Sequence, residues 1–302
     1  MPVSTISPSP SPSSSSLPVP TIGSALSRPP PPMAPDPEPA AQAYFHKVAQ
    51  LKGVYGIALN RPKSKNAISV QLLEDLECAI EQAIAEPSVQ CLIFHSSTPG
   101  CFCSGADLIE RRQMSDADVH RFLANLRRVF SRIDHLEFPS ICAIDGPALG
   151  GGLELALTCD FRIAARNVTK ISFPETRLGI IPGGGGTQRA PRLIGLTKAK
   201  ELIFTGRELT AADAQELGLV DYVADHTQTA YERALLLAAE IAKSAPLALR
   251  AAKAAISRSL EFSLDDALDY ERSCYEPLLK TQDRTEALDA FREKRAPVFV
   301  GK

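Results

Sequence analysis

The chain has 302 residues, 44% of them apolar and 23% charged, with 33 basic residues against 35 acidic ones. That length admits one large domain or two ordinary ones, and the apolar fraction is that of a globular protein with a sizeable core. A net charge of −2 excludes a global polyanion-binding character, and seven cysteines, an odd number without a paired framework, fit a reducing compartment where buried thiols act as small hydrophobes.

Residues 1–39 hold thirteen prolines, ten serines and a single basic residue, Arg28, with no acid before Asp36. Such a segment cannot bury enough apolar surface to offset its ordering entropy, so it is expected to be a disordered leader or a targeting segment. Its serines and scarce acids suit an organelle transit peptide, while the lack of arginines and of an amphipathic helix argues against the usual mitochondrial kind. There is no hydrophobic run of a secretory signal, and the terminal "FVGK" is not a peroxisomal address.

From about residue 44 the pattern becomes regular. "GVYGIALN" (53–60) predicts a strand, ended by the turn-rich "RPKSKN". Val70, Leu73, Leu76, Ile80 and Ile84 fall on one helical face. "QCLIFHSS" (90–97) is an apolar run expected of a strand covered on both sides, and after the loop "TPGCFCSGADL" a long helix is predicted through "ADVHRFLANLRRVFSRI". "SICAIDG" (140–146) is a third buried strand that leads into glycines and a helix around Glu154, with "FRIAA" and "KISF" as short strands after it. The stretch 141–159 is strongly apolar, but Asp145, Glu154 and four glycines make it a core segment instead of a membrane span. This alternation predicts an α/β class with helices packed on sheets over 40–230. Beyond it the strands cease, and successive helices over 231–243, 245–260, 264–270 and 281–294 predict an all-helical C-terminal region, 231–302, acting as a lid or an assembly surface.

Two glycine clusters invite a nucleotide reading that their details oppose. "PGGGGTQR" (182–189) has no P-loop lysine, and "ALGGG" lacks the spacing of a dinucleotide turn. A strand–glycine–helix junction offers something else. Gly150, Gly151 and Gly152 leave their amides open at a helix N-terminus, where unpaired donors and the dipole favour a developing oxyanion. "CSGADL" supplies a second candidate, with Gly105 allowing close approach and Ala106 an amide. Two amides from separate loops aimed at one oxygen would polarise a carbonyl. Glu154 sits in the first helical turn among Leu153, Leu155, Ala156 and Leu157. Either it is a helix-start acid, favourable by about 0.3–1 kcal/mol, or its burial raises its pKa and fits it for proton transfer. Glu175, in "SFPETRLG", is by itself an ordinary loop glutamate that gains meaning only by pairing with Glu154. No Ser–His–Asp arrangement is evident among the five histidines. Cys101 and Cys103 have no second Cys/His pair at zinc-site spacing, so no metal is expected.

"FCSGADL", "AIDGPALGGGLELALTCDFRIAA", "ETRLGIIPGGGGTQRAPRLIG" and "AKELIFTGR" together resemble the enoyl-CoA hydratase/isomerase (crotonase) superfamily, from about residue 48 to the end. The likeness is to its methylglutaconyl-CoA hydratase (AU-binding) and enoyl-CoA hydratase domain-containing protein 2 branches, the latter in "AFREKRAPVFVGK". The resemblance implies a crotonase-like ββα superhelix whose C-terminal helices build a homotrimer, commonly paired into a hexamer. It implies an acyl-CoA thioester whose carbonyl is held by the amides of Ala106 and Gly151, each such donor being worth about 3–4 kcal/mol. Glu154 and Glu175 match the acid/base pair that adds water syn across the 2,3 double bond of a short or branched 2-enoyl-CoA. 3-Methylglutaconyl-CoA of leucine degradation and substrates of fatty-acid β-oxidation are among the candidates. Coenzyme A would lie along Ser104, Gly105, Asp107 and Leu108 and along the loop from Lys63 to Ala67, with Phe291 and Lys294 reaching the pocket from the C-terminal region. No metal and no separate cofactor are implied, no membrane is involved, and the family's usual home is mitochondrial, with a cytoplasmic alternative.

Two rival readings come with the resemblance. A Δ3,Δ2-enoyl-CoA isomerase uses the same oxyanion site with one carboxylate. AU-rich RNA binding is associated with a lysine-rich first helix, whereas 70–90 here carries Glu74, Asp75, Glu77, Glu81 and Glu86 and no lysine or arginine, so no nucleic-acid partner is expected. There are also two departures from close relatives. The interval from Glu154 to Glu175 is one residue longer, near "RNVTKISF", and Ile109 stands where lysine usually follows "GADL".

Overall fold

The computed structural model describes residues 41–302; the leader expected over 1–39 lies outside them. The main sheet is built from β1 (Ala43–Lys47), β2 (Val54–Leu59), β3 (Cys91–Ser96), β4 (Ser140–Ile144), β6 (Phe161–Ala164) and β8 (Tyr222–Val223), in the order β1-β2-β3-β4-β6-β8. β1 is antiparallel to β2, and every other pair is parallel. A second, two-stranded parallel sheet joins β5 (Ala148–Leu149) to β7 (Ile171–Ser172). The strand–helix alternation thus yields the α/β class. β2 and β4 are buried along their whole length, as a parallel sheet covered on both faces requires. The strands absent from the sequence reading are β1, half-exposed at the sheet edge, and β5 and β8, too short to carry a pattern.

α1 (Val70–Ala85) starts on Ser69, whose side chain accepts from the Leu72 amide at 3.1 Å. Its inward face is not the expected one throughout. Leu73, Leu76 and Ile80 are buried as predicted, but Leu72, Ala79 and Ala83 complete the face, while Val70 and Ile84 are exposed. α1 lies against β1, β2 and α3 (Asp116–Asp134), which opens with a reciprocal Ser115/Asp118 cap. The acidic face of α1 is partly neutralised from α3, where Arg132 reaches Glu77 and Glu81 and Arg128 chelates Glu77. Between β3 and α3 comes α2 (Leu108–Arg111), and α4 (Gly151–Ala156) follows β5. α5 (Gly186–Ile194), α6 (Leu196–Thr205) and α7 (Ala211–Glu216) lie between β7 and β8.

The helical region begins with α8 (Ala230–Ile241) and continues through α9 (Pro246–Ser257), α10 (Leu264–Tyr275) and α11 (Gln282–Glu293). α8 does not stand apart from the sheet. It packs on β3, β4 and β6, and Asp145 at the end of β4 accepts from the Ala230 and Tyr231 amides at 2.6 and 3.1 Å. α9 and α10 bury no residue within the chain.

Candidate active site

The short sheet sets the site. β5 and β7 align Ala148 with Ile171 and Leu149 with Ser172, and the Gly150 amide continues the ladder to the Ser172 carbonyl at 2.9 Å. Gly150 then turns the chain with φ 49° and ψ −118°, a conformation that only glycine reaches without strain. α4 starts at once, with Gly151 as its first residue. On the other side of β5, Leu149 donates to the Cys103 carbonyl and Cys103 to the Pro147 carbonyl, both at 3.0 Å. The "CSGADL" loop is thereby fastened beside the start of α4. A methyl group built on Gly105 would stand 2.7 Å from the Leu149 carbonyl oxygen and 3.5 Å from the Gly151 nitrogen, and one built on Gly151 would stand 3.9 Å from the Ala106 nitrogen. Among the described residues, neither the Ala106 nor the Gly151 amide donates to an acceptor of the chain. Two free donors from two loops therefore share one small space.

Glu154 projects from α4 and is 2% exposed. Its Oε1 accepts from the amides of Gly184 at 2.8 Å and Gly186 at 2.7 Å. The second glycine cluster is thus a backbone nest for a carboxylate of the chain itself, not for a phosphate. Burial raises the Glu154 pKa, and the amides of Gly186 and Gly184 and the charge of Arg189 draw it part of the way back.

Glu175 opens a 3₁₀ turn, Glu175–Leu178, directly after β7. Its Oε1 stands 2.5 Å from where a Cβ on Gly150 would be, so it uses the room of that missing side chain. Its Oε2 is buried with no hydrogen-bond partner among the described residues. Burial pushes its pKa up to about 7; a bond from its own amide opposes this, and the charge of Glu154 adds to it. The longer interval between the two glutamates does not carry Glu175 away. The segment after β6 closes as a turn, Val168 donating to the Ala165 carbonyl at 3.0 Å, and β7 keeps its register with β5.

The candidate coenzyme A contacts divide into two groups. The loop after β2 and the "SGAD" loop are zipped together. Ile68 donates to the Gly105 carbonyl at 2.7 Å, Asp107 to the Ile68 carbonyl at 3.2 Å, and Ser104 to the Lys65 carbonyl at 3.0 Å. Lys63 is exposed on this rim, Ala67 and Gly105 are buried, and Leu108 is exposed. The Asp107 carboxylate is occupied structurally. It caps α2 through the Ile109 and Glu110 amides and binds Arg61 at 2.7 Å. Ile109, the residue after "GADL", is 79% exposed. Phe291 and Lys294 are not joined to this rim. Phe291 is 86% exposed, and Lys294 forms a left-handed corner at the end of α11 with φ 54°.

The sequence reading missed the residue that holds the rim. Asn66 is fully buried, accepts from the Arg61 amide at 2.7 Å and donates to Ser96 Oγ and the Phe102 carbonyl at 2.7 and 2.8 Å. Its left-handed φ of 54° is tolerated better by asparagine than by most residues, the one signal "KSKNA" contains. Among the described residues no group of three or more His, Cys, Asp or Glu side chains is placed to hold a metal, and no helix is long and apolar enough to cross a membrane.

A family model described as enoyl-CoA hydratase/isomerase matches residues 49–302. An enoyl-CoA isomerase/hydratase of Mycosarcoma maydis is 55% identical over 262 residues, covering 84% of this chain and 95% of that protein. The mitochondrial enoyl-CoA hydratase domain-containing protein 2 of Mus musculus is 48% identical over 254 residues, covering 83% and 86%. The mitochondrial methylglutaconyl-CoA hydratase of Homo sapiens is 44% identical over 260 residues, covering 85% and 76%. Among solved structures, an enoyl-CoA hydratase from Bacillus anthracis matches with a TM-score of 0.82 at 41% identity, over 86% of this chain and 100% of that one. Sheet order, glycine junctions and these likenesses agree: the chain is an enzyme of the enoyl-CoA hydratase/isomerase family.

Proposed function

We propose that this enzyme hydrates a short or branched 2-enoyl-CoA, adding water syn across the 2,3 double bond. The observation that carries the reading is that two buried carboxylates, Glu154 in the first turn of α4 and Glu175 beside Gly150, flank the helix start at which the amides of Gly151 and Ala106 are left free. The amides take the thioester oxygen as it gains charge. Glu154, anchored by two amides, is the anion that takes a proton from water as the water oxygen bonds to C3. Glu175, unpaired on Oε2 and titrating near neutrality, is the carboxyl that delivers a proton to C2. One O–H bond of water breaks, a C–O and a C–H bond form, and both proton transfers come from one face.

Coenzyme A is part of the substrate, and the chemistry calls for neither a metal nor a further cofactor. Its adenine end would lie on the rim made by Lys63, Ala67, Ser104, Gly105 and Leu108. The exposure of Phe291 supports a role for Phe291 and Lys294 in trans, at the site of another copy in a homotrimer or hexamer. An α1 with four acids, a fifth at Glu86 just beyond it, and no basic residue supports the absence of a nucleic-acid partner. The mitochondrial names of several relatives support that compartment. The relative named isomerase/hydratase favours a second reading, Δ3,Δ2-isomerisation by one carboxylate.

The test is loss of the enoyl-thioester absorbance with crotonyl-CoA and 3-methylglutaconyl-CoA. Hydration lowered about 10²- to 10⁴-fold by Glu154→Gln and by Glu175→Gln alike is the expected outcome. Faster turnover of a 3-enoyl-CoA, insensitive to Glu175→Gln, would instead establish the isomerase.

A further inference from the structure

The amides that hold Glu154 belong to a loop of consecutive glycines, which has no side chains of its own to keep it in place. Its hold comes from behind. Arg189, on the first turn of α5, donates through Nη1 to the Gly184 carbonyl at 2.8 Å. The same guanidinium is itself held, Nε and Nη2 both donating to Asp134 Oδ2 at the end of α3, at 3.1 and 3.0 Å. Gly184 is thus gripped on both sides, its N–H on Glu154 Oε1 and its carbonyl on Arg189. Gly185, at φ 107°, leaves free the space where a Cβ would strike Arg189 Nη1.

We propose that Arg189, braced by Asp134, is the positioning residue for Glu154: through Gly184 it sets where the carboxylate points and holds it as the anion. The proposal rests on the hydratase reading for the use made of that carboxylate, but the geometry is independent of it. An ordinary surface ion pair does not look like this. All three guanidinium nitrogens are engaged, two on one carboxylate oxygen and one on a carbonyl, and the Arg189 side chain is only 18% exposed. The charged groups that act on Glu154 are Arg189 and Glu175. From α3, Phe130 and Leu123 pack on Gly184 and Gly183, and its acid, Asp134, reaches Arg189. Arg189 and Asp134 also line a cleft of about 1400 Å³ behind the loop. None of Ala106, Gly151, Glu154 and Glu175 lines that cleft.

Removing the guanidinium takes away a fork and a charge. The carboxylate then wanders, and its proton affinity rises. The full-length enzyme is assayed with crotonyl-CoA across pH as wild type, Arg189→Met, Arg189→Lys and Asp134→Asn. In parallel, the Glu154 carboxyl is titrated by carbon-13 NMR on glutamate-labelled protein, its signal assigned by its loss in Glu154→Gln. Arg189→Met is expected to lower kcat about 10- to 100-fold with KM within about twofold. The acidic limb of the kcat profile and the Glu154 titration should both move to higher pH. Arg189→Lys should restore the titration more than the rate, and Asp134→Asn should lie between. A Glu154 titration unmoved in both Arg189→Met and Asp134→Asn overturns the proposal, as does a loss of kcat with the acidic limb in place. Should the wild type leave crotonyl-CoA and the other 2-enoyl thioesters untouched, the hydratase reading fails while the NMR titration still decides the role of Arg189.

Discussion

Glu154 and Glu175 carry the same carboxyl group, and their surroundings separate them. Glu154 accepts from two amides and sits near a guanidinium, whereas one oxygen of Glu175 is sealed from water with no donor among the described residues. A buried carboxyl whose pKa rises from its ordinary 4.5 to about 7 binds more protons folded than unfolded across that window. Its contribution to stability is therefore complete below 4.5 and is lost as pH rises through 7. Glu175→Gln, which cannot ionise, should melt higher than wild type at pH 8 and converge with it near pH 4, as read by thermal unfolding across pH. The sequence betrayed the burial of Glu154 through its leucine and alanine neighbours. It could not betray the nest, since Gly184 lies thirty residues on and a contact at that separation leaves no local pattern. Asn66 was hidden for the same reason, with its partners at Arg61, Ser96 and Phe102 drawn from three segments.

At the scale of elements, the pattern carried the buried strands, including the short β6 and β7, and missed the half-exposed β1 and the two-residue β5 and β8. β2, β3, β4 and α3 declare themselves because each buries a continuous run or stripe. β5 and β7 have two residues each, yet they decide which glycine faces which glutamate. On α1 the expected face included Val70 and Ile84, which sit at its two ends beyond the reach of the sheet, while small Ala79 and Ala83 take the close approach. The loops joined at Asn66 depend on it in the same way that the free amides of Ala106 and Gly151 depend on β5. Asn66→Ala removes one acceptor and two donated bonds at a buried position. It should destabilise the protein by about 2–4 kcal/mol in urea unfolding. It should also raise KM for crotonyl-CoA more than it lowers kcat, because the rim that it braces is the one proposed to take coenzyme A.

For the molecule as a whole, the end of the chain is left unfinished by its own contacts. No residue of α9 or α10 is fully buried, and Ile256, Leu260 and Leu264 are 71%, 86% and 75% exposed. Apolar surface of this kind marks an interface more readily than a free face. Light scattering on the full chain should give three or six copies, and Leu264→Asp should shift the distribution to smaller species while raising KM for the CoA thioester. The helical character of this region was legible from its periodicity, but which of its faces turned inward was not, because no residue of α9 or α10 is fully buried within the chain.

The space around the two glutamates is made from atoms that the chain lacks. Glu175 stands where Gly150 would carry a methyl group, Glu154 within 3.0 Å of the same position on Gly184 and Gly186, and the Leu149 carbonyl within 2.7 Å of that on Gly105. Alanine substitution, a deletion at a leucine or a glutamate, is an insertion at these glycines. The damage it records here measures crowding, and no residue in the protein offers a smaller replacement. Substitution of these glycines can only fill the site.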